Sequence, residues 1–188
     1  MPSLAEVVAA QYGAWRLLRF DPAGMTWFDI SIRGFWRSFF AAVPVAPAYA
    51  IFIGLDFARR AEPVDLGWAM LVSTIAYVCG WIAFPVAAIF ITRLLGLTDR
   101  YVALIVAYNW ASVPQTLLLL PPVLIEANGA LPAQFASVLT MVVTIFVLLY
   151  QWFVTRTALA TTALTATGIV FLEVLIGAFI DLTADSLI

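Results

Sequence analysis

The side chains in this sequence that could do chemistry are few, and most lie inside long apolar runs. Glu173 stands out. It falls within the stretch from Thr157 to Ile180, where a charge at the bilayer centre costs on the order of 3 kcal/mol on insertion scales. Either the residue serves a proton, an ion or a partner, or packing and reach toward the interface relieve it. Eight residues separate it from Asp181, about 12 Å of helix, so hydration or protonation from the external interface is within reach.

Other polar residues recur at helical spacing. Ser137, Thr140, Thr144 and Gln151 are three, four and seven apart, one continuous helix face. Thr161, Thr165, Glu173 and Gly177 fall at multiples of four, a stripe that drifts slowly around its helix. Both stripes should avoid lipid, and the short connection between the two runs points them into a shared interior. Upstream, Ala103, Ala107, Ala111 and Gln115 place small residues every four positions, which allows close helix approach, and Asn109 lies in the same run. The candidate functional polar residues are therefore Glu173, Asn109, Gln115, Thr165 and Gln151. The threonines and amides read either as interhelical glue, on the order of 0.6 kcal/mol each, or as the lining of a solute path.

Much chemistry is disfavoured. The chain has no histidine, the commonest acid/base residue and metal ligand, and only one cysteine, Cys79, so no internal disulfide forms. No G-x-S-x-G, H-E-x-x-H or G-x-x-x-x-G-K-[ST] pattern occurs. An isolated carboxylate lacks the partners that acid/base catalysis needs. Catalytic, cofactor-binding and metal-binding residues are not expected, and neither is an enzyme. A net charge of −2 gives no footprint for nucleic acid.

The elements that hold these residues follow from composition. Hydrophobic residues make up 64% of 188 positions and charged ones 11%, too few to cover a body of this size in water. Spanning hydrocarbon takes about 20 apolar residues as helix, because no water satisfies open backbone groups there. Five stretches qualify: 34–55, 67–91, 101–125, 135–154 and 157–180. The expected fold is an all-α polytopic transmembrane bundle of about five spans (34–188), preceded by an N-terminal amphipathic, interfacial region (1–33). Only Thr155 and Arg156 separate the last two spans, and a four-span chain with a long re-entrant end is the alternative. Pro44, Pro47, Pro85 and Pro114 interrupt three consecutive spans, where kinks are expected.

Arginine placement sets orientation, since cytoplasmic flanks are enriched in it. An N-terminus inside puts Arg16, Arg19, Arg33, Arg37, Arg93, Arg100 and Arg156 in the cytoplasm and only Arg59 and Arg60 outside. External segments then carry Asp56, Glu62, Asp65, Glu126, Asp181 and Asp185. All nine basic residues are arginine and alanine is abundant, a bias of GC-rich bacterial genomes. The start, MPSLAEVVAAQYGAW, lacks the pattern of a cleaved signal peptide. The expected location is a bacterial inner (plasma) membrane, N-terminus cytoplasmic and C-terminus external.

On a helix over 4–20, Leu4, Val7, Val8, Trp15 and Leu18 gather on one side, interrupted by Gln11, with Glu6 and Gly13 opposite and Arg16 on the flank. That apolar face lies in the headgroup region or packs on the protein's own spans. A turn at Asp21-Pro22-Ala23-Gly24 precedes a second helix, with Thr26 and Asp29 spaced as a capping box ahead of Trp27, Phe28, Phe35, Trp36, Phe39 and Phe40. Asp29, Arg33 and Arg37 would share one face as a surface ladder of snorkelling arginines; the alternative is an anionic-lipid site. Arg16, Arg19, Arg33 and Arg37 are the candidate headgroup contacts.

The polar-amphipathic start, the five spans and the third-span stretch YVALIVAYNWASVPQ resemble small bacterial relatives of the Yip-domain family, over roughly Phe39 to Ile180. The resemblance implies a non-enzymatic membrane protein that shapes, organises or assembles other components. Eukaryotic members of that family act in vesicle trafficking and contact small GTPases, a role implied only where a longer cytoplasmic N-terminal region is present. The expected function is thus a scaffold, assembly factor or accessory subunit, in contact with membrane lipids and with other subunits or copies of itself. The alternative is a small transporter or channel using the polar faces of spans four and five with Glu173. No inverted repeat is evident in five spans.

Overall fold

Apolar runs of this length have no way to satisfy their backbone in lipid other than as helices, and that is what the chain forms. A computed structural model describes residues 1–60 and 64–188; Glu62, expected in an external connection, lies outside them. Among the described residues every regular element is helical. Five helical segments are long and apolar enough to cross a membrane: Ile32–Arg59, Leu66–Leu94, Thr98–Ala127, Ala133–Leu159 and Ala163–Leu187. The protein is a multi-pass membrane protein.

The helices are α1 (Leu4–Leu18), α2 (Ile32–Ser38), α3 (Ala42–Arg59), α4 (Leu66–Leu94), α5 (Tyr101–Ala127), α6 (Ala133–Leu159) and α7 (Ala163–Leu187). The short α2 and α3 make one span, joined by a 3-10 turn over Phe39–Ala41. Pro44 accounts for that turn: it has no N–H for the Phe40 carbonyl and its ring crowds the same group. The first span therefore begins and ends beyond the expected 34–55, taking Arg33 and Arg59 into its terminal turns. Pro47, Pro85, Pro114, Pro121 and Pro122 lie within helices that run on past them.

α5 occupies the centre, touching α1, α2, α3, α4 and α6. Its consecutive residues Leu104, Ile105, Val106 and Ala107 are all buried, so this helix is enclosed on every side over that turn. The expected small-residue row is what permits it: Ala103, Ala107 and Ala111 are buried against neighbours, and no long side chain holds those neighbours away. α7 packs against α4 and α6. Between α3 and α4, tyrosines cross the gap. Tyr49 donates to the Ser73 carbonyl at 3.1 Å, Tyr77 donates to the Ala42 carbonyl at 2.5 Å, and the two rings lie 4.7 Å apart.

The N-terminal region docks on this bundle differently from the expectation. Ser3 and Glu6 form a reciprocal capping box that starts α1. Its buried face is the small one, Ala10, Gly13, Ala14 and Leu17, packed on α5 and α6, with the Tyr150 hydroxyl donating to the Ala14 carbonyl at 2.9 Å. Leu4, Val8 and Trp15 point away and are exposed, as is Tyr12; Leu18 is buried, and Gln11, at the edge, is partly so. Gly13, expected opposite the packing face, is at its centre because the chain returns there. A Cβ on Gly13 would stand 2.8 Å from the Gly24 carbonyl oxygen, and one on Gly24 would stand 2.5 Å from the Gly13 oxygen. Close backbone approach overrode side-chain hydrophobicity in choosing the face.

Phe20 ends α1 in the left-handed region (φ 57°), which swings its ring onto Phe153 and Phe146 of α6. The expected capping box at Thr26 and Asp29 does not form. Pro22–Trp27 is a 3-10 helix in which Thr26 donates to the Ala23 carbonyl, and α2 starts later, capped by Ser31. Asp29 thus lies outside the helix, and the ladder Asp29, Arg33, Arg37 is replaced by an ion pair of Arg37 with Glu6. Gly34 sits so close to the Asp29 carbonyl that any side chain would collide with it.

Candidate functional site

Two antiparallel hairpins create the site. The α6–α7 turn is three residues long, Ala160 to Thr162: Ala160 takes the left-handed conformation (φ 48°) and Thr162 caps α7 through the Thr165 N–H. The turn thus falls after Leu159, not at Thr155–Arg156 as expected, because a full 27-residue helix fits before it. Arg156 lies in the last turn of α6, with its guanidinium over the Trp152 ring. Thr161 sits in the turn itself. Thr165 is used in the cap, its hydroxyl 2.9 Å from that of Thr162, and stands eight residues, about 12 Å, from Glu173.

Within these hairpins three spans meet through one line of side chains. Gln115 of α5 donates its amide N–H to Gln151 Oε1 of α6 at 2.5 Å, and Gln151 Nε2 donates to Glu173 Oε2 of α7 at 3.0 Å. Tyr108 stands seven residues before Gln115, two turns away on the same face of α5. Gln151 is 3% exposed, so both of its polar ends are spent on this contact inside the bundle. Glu173 lies ten residues after the start of α7 and fourteen before its end, about 15 Å and 21 Å. It is therefore nearer mid-bilayer than the 12 Å offset from Asp181 suggests, because the helix continues to Leu187.

No known family model, curated protein or solved structure matches this chain. Its chemistry has to be read from its own side chains. A carboxyl group with an amide partner in lipid can hold or release a proton, or anchor three helices through the shared glutamine. Both possibilities arise from the same hydrogen bonds.

Asn109 belongs elsewhere. It is fully buried and donates to Ser38 Oγ at 2.9 Å, and Ser38 donates to the Phe35 carbonyl at 2.7 Å, tying α5 to α2. Its Oδ1 has no partner among the described residues. The stripe expected on α6 divides as well. Gln151 is buried and Thr140 donates to Glu126 at 3.3 Å, whereas Ser137 and Thr144 are exposed. At 3.6 residues per turn a row spread over fourteen positions rotates past a narrow helix contact, so only part of it stays covered. Tyr108 was not among the expected site residues; its place in an otherwise apolar, aromatic-rich turn gave no periodic polar signal.

The four arginines separate into two kinds. Arg16 bonds Asp21 (Nε to Oδ2, 2.7 Å), and with Arg19, Tyr12 and Trp15 it lines a cleft of about 390 Å³. Arg37 is engaged with Glu6. Arg19 and Arg33 are exposed. Around these pairs the carboxyls are held below their ordinary range: Glu6 chiefly by the Ser3 backbone N–H, Asp21 chiefly by the Arg16 guanidinium, and Asp29 chiefly by Ser31.

Proposed function

We propose that this chain is a non-enzymatic membrane protein that acts as a scaffold, assembly factor or accessory subunit of a membrane complex. The observation that carries the reading is the N-terminal platform of α1 and α2. It is locked to the bundle through its small-residue face and turns outward a row of large apolar residues, Leu4, Val8 and Trp15, beside the Arg16–Arg19 cleft. A face that is rigid, apolar and rimmed by arginine suits a headgroup layer or a partner lying in it. The positive-inside rule supports a cytoplasmic platform in a bacterial inner membrane, and the resemblance to the Yip-domain family agrees with a non-enzymatic organiser.

Mild detergent extraction from native membranes followed by mass spectrometry tests this. A partner or lipid that co-isolates with the chain, and is lost when Leu4, Val8 and Trp15 are together changed to Ser, is the expected result. A protein that runs alone under those conditions counts against it.

The Gln115–Gln151–Glu173 line favours a second reading, a small transporter or channel. Reconstituted vesicles distinguish the two: proton- or ion-coupled flux abolished by Glu173→Gln supports transport, and flux unchanged by it removes Glu173 from any such mechanism.

A further inference from the structure

At the rim opposite the N-terminal platform, the ends of α3, α4 and α7 are bridged by the Arg60–Asp185 pair and by the Trp68 indole N–H, which donates to the Leu187 carbonyl at 2.7 Å, yet they do not fill the space between them. They leave a cavity of about 540 Å³ whose mouth carries Arg60, Asp56, Asp181 and Asp185. Arg60 bonds Asp56 at 3.1 Å and also pairs with Asp185, whereas Asp181 lies along the same wall one helical turn deeper. This cavity continues into a slot of about 420 Å³ between α3 and α4, almost wholly apolar; Tyr49, Ile53, Phe57 and Ser73 line both.

One wall of the slot is the row Ala46, Ala50 and Gly54, which keeps it smooth, and a Cβ at Gly54 would meet nothing within 4 Å. Where the polar and apolar parts join stands Ser73. Only 6% exposed, it lines both spaces, and its hydroxyl has no hydrogen-bond partner among the described residues. A buried hydroxyl without a partner can be met by a water or by an acceptor atom of a molecule bound beside it.

We infer that this crevice is a binding site for one zwitterionic aminophospholipid. The head carries both signs, as the mouth does. Its primary ammonium meets the Asp181 carboxylate, which has no ion-pair partner among the described residues, and its phosphate meets Arg60 Nη1, the guanidinium nitrogen that Asp56 and Asp185 leave open. Ser73 lies about 10 Å down α4 from Leu66, the depth of a glycerol ester, and donates to that carbonyl. An acyl chain then fills the apolar slot against Tyr49, Met70 and Tyr77. Three acids against one arginine disfavour an anionic head, and a quaternary ammonium has no N–H for the carboxylates. A second membrane helix would leave both the charged mouth and the Ser73 hydroxyl unanswered.

The full chain, reconstituted in bilayers of equal parts phosphatidylethanolamine, phosphatidylcholine and phosphatidylglycerol and then released into mild detergent, gives the test by native mass spectrometry. One phosphatidylethanolamine per chain is expected, enriched at least fivefold over the other two. Gly54→Leu, whose Cβ meets nothing within 4 Å, and the exposed-mouth variant Asp181→Asn should each abolish the enrichment, and Ser73→Ala should reduce it. Val86→Leu, on an exposed face of α4, should not change it. Equal retention of phosphatidylglycerol, or enrichment that survives both Gly54→Leu and Asp181→Asn, overturns the proposal. So does a dimer that Gly54→Leu dissociates, which would assign the slot to a second copy.

Discussion

Gln151 and Glu173 stand eleven residues either side of Thr162, and their side chains meet at 3.0 Å. Gln115 and Gln151 stand eighteen residues either side of Ala133 and meet at 2.5 Å. Two hairpin registers thus bring three residues, far apart in sequence, to one depth. Gln151 is the member shared by both.

That sharing sets the first prediction. Gln151→Leu leaves the Gln115 amide and the Glu173 carboxyl without their partner, and the cost of unmet buried groups is about 1–3 kcal/mol. Gln115→Leu leaves one buried atom unmet, Gln151 Oε1, rather than two groups, so its cost falls at the lower end of that range. Unfolding in mixed micelles should rank the two in that order; equal stability of Gln151→Leu and the unaltered protein would show that the line carries no structural weight.

Backbone contact between Gly13 and Gly24 makes a second. Gly13→Ala forces a methyl to within 2.8 Å of a carbonyl oxygen and 2.9 Å of Trp27 Cβ, an overpacking worth about 1–3 kcal/mol. Because the clash lies in the platform, amide exchange should accelerate over residues 4–38 while the spans α4 to α7 keep their protection.

Acid should loosen the same region in a defined window. The carboxyls of Glu6, Asp21 and Asp29 are held below their ordinary range, so their contribution is complete at neutral pH and begins to fall only when pH enters the usual carboxyl titration. It is lost as pH falls below about 4, through the lowered folded values. Protection factors over residues 4–38, corrected for the intrinsic pH dependence of amide exchange, should stay flat from pH 7 to about 5 and fall below about 4. In Glu6→Gln the Arg37 contact is absent at every pH, so protection near Arg37 should already be low at neutrality.

Arg19 and Arg37 should behave differently although both are arginines of one platform. Arg19 is exposed beside the cleft of Tyr12, Trp15 and Arg16, so Arg19→Gln should weaken association with anionic vesicles by about fivefold, the value of roughly 1 kcal/mol per basic residue near a charged surface. Added salt should shrink that difference. Arg37 is already paired with Glu6, so Arg37→Gln should lower platform stability and leave vesicle affinity nearly unchanged. Sedimentation with vesicles and thermal unfolding measure the two effects separately.

The five spans were legible because backbone satisfaction in lipid leaves few choices, and their count needs only composition and length. Helix ends were less so: Arg59 and Arg156 read as loop residues by charge, yet each lies within a terminal turn, where an arginine can reach the interface along its own stem. The packing face of α1 was not legible. Periodicity weighs Leu4, Val8 and Trp15 above Ala10, Gly13 and Ala14, whereas the decisive quantity is how near another backbone can come, which depends on Gly24 eleven residues away. Gln115, Gln151 and Glu173 were each visible as polar residues in apolar runs. Their meeting depended on the turn positions, and a displaced α6–α7 turn hides the symmetry about Thr162.

The three-residue turn from Ala160 to Thr162 has a consequence for how this chain tolerates change in length. A residue inserted there and taken up as helix would rotate α7 by about 100° and slide it about 1.5 Å, carrying Glu173 off the Gln151 face toward lipid. Substitutions in the turn leave that phase intact so long as the left-handed position is respected. Across related chains, insertions and deletions between Leu159 and Ala163 should therefore be rarer than changes of residue type, making the spacing itself the inherited feature.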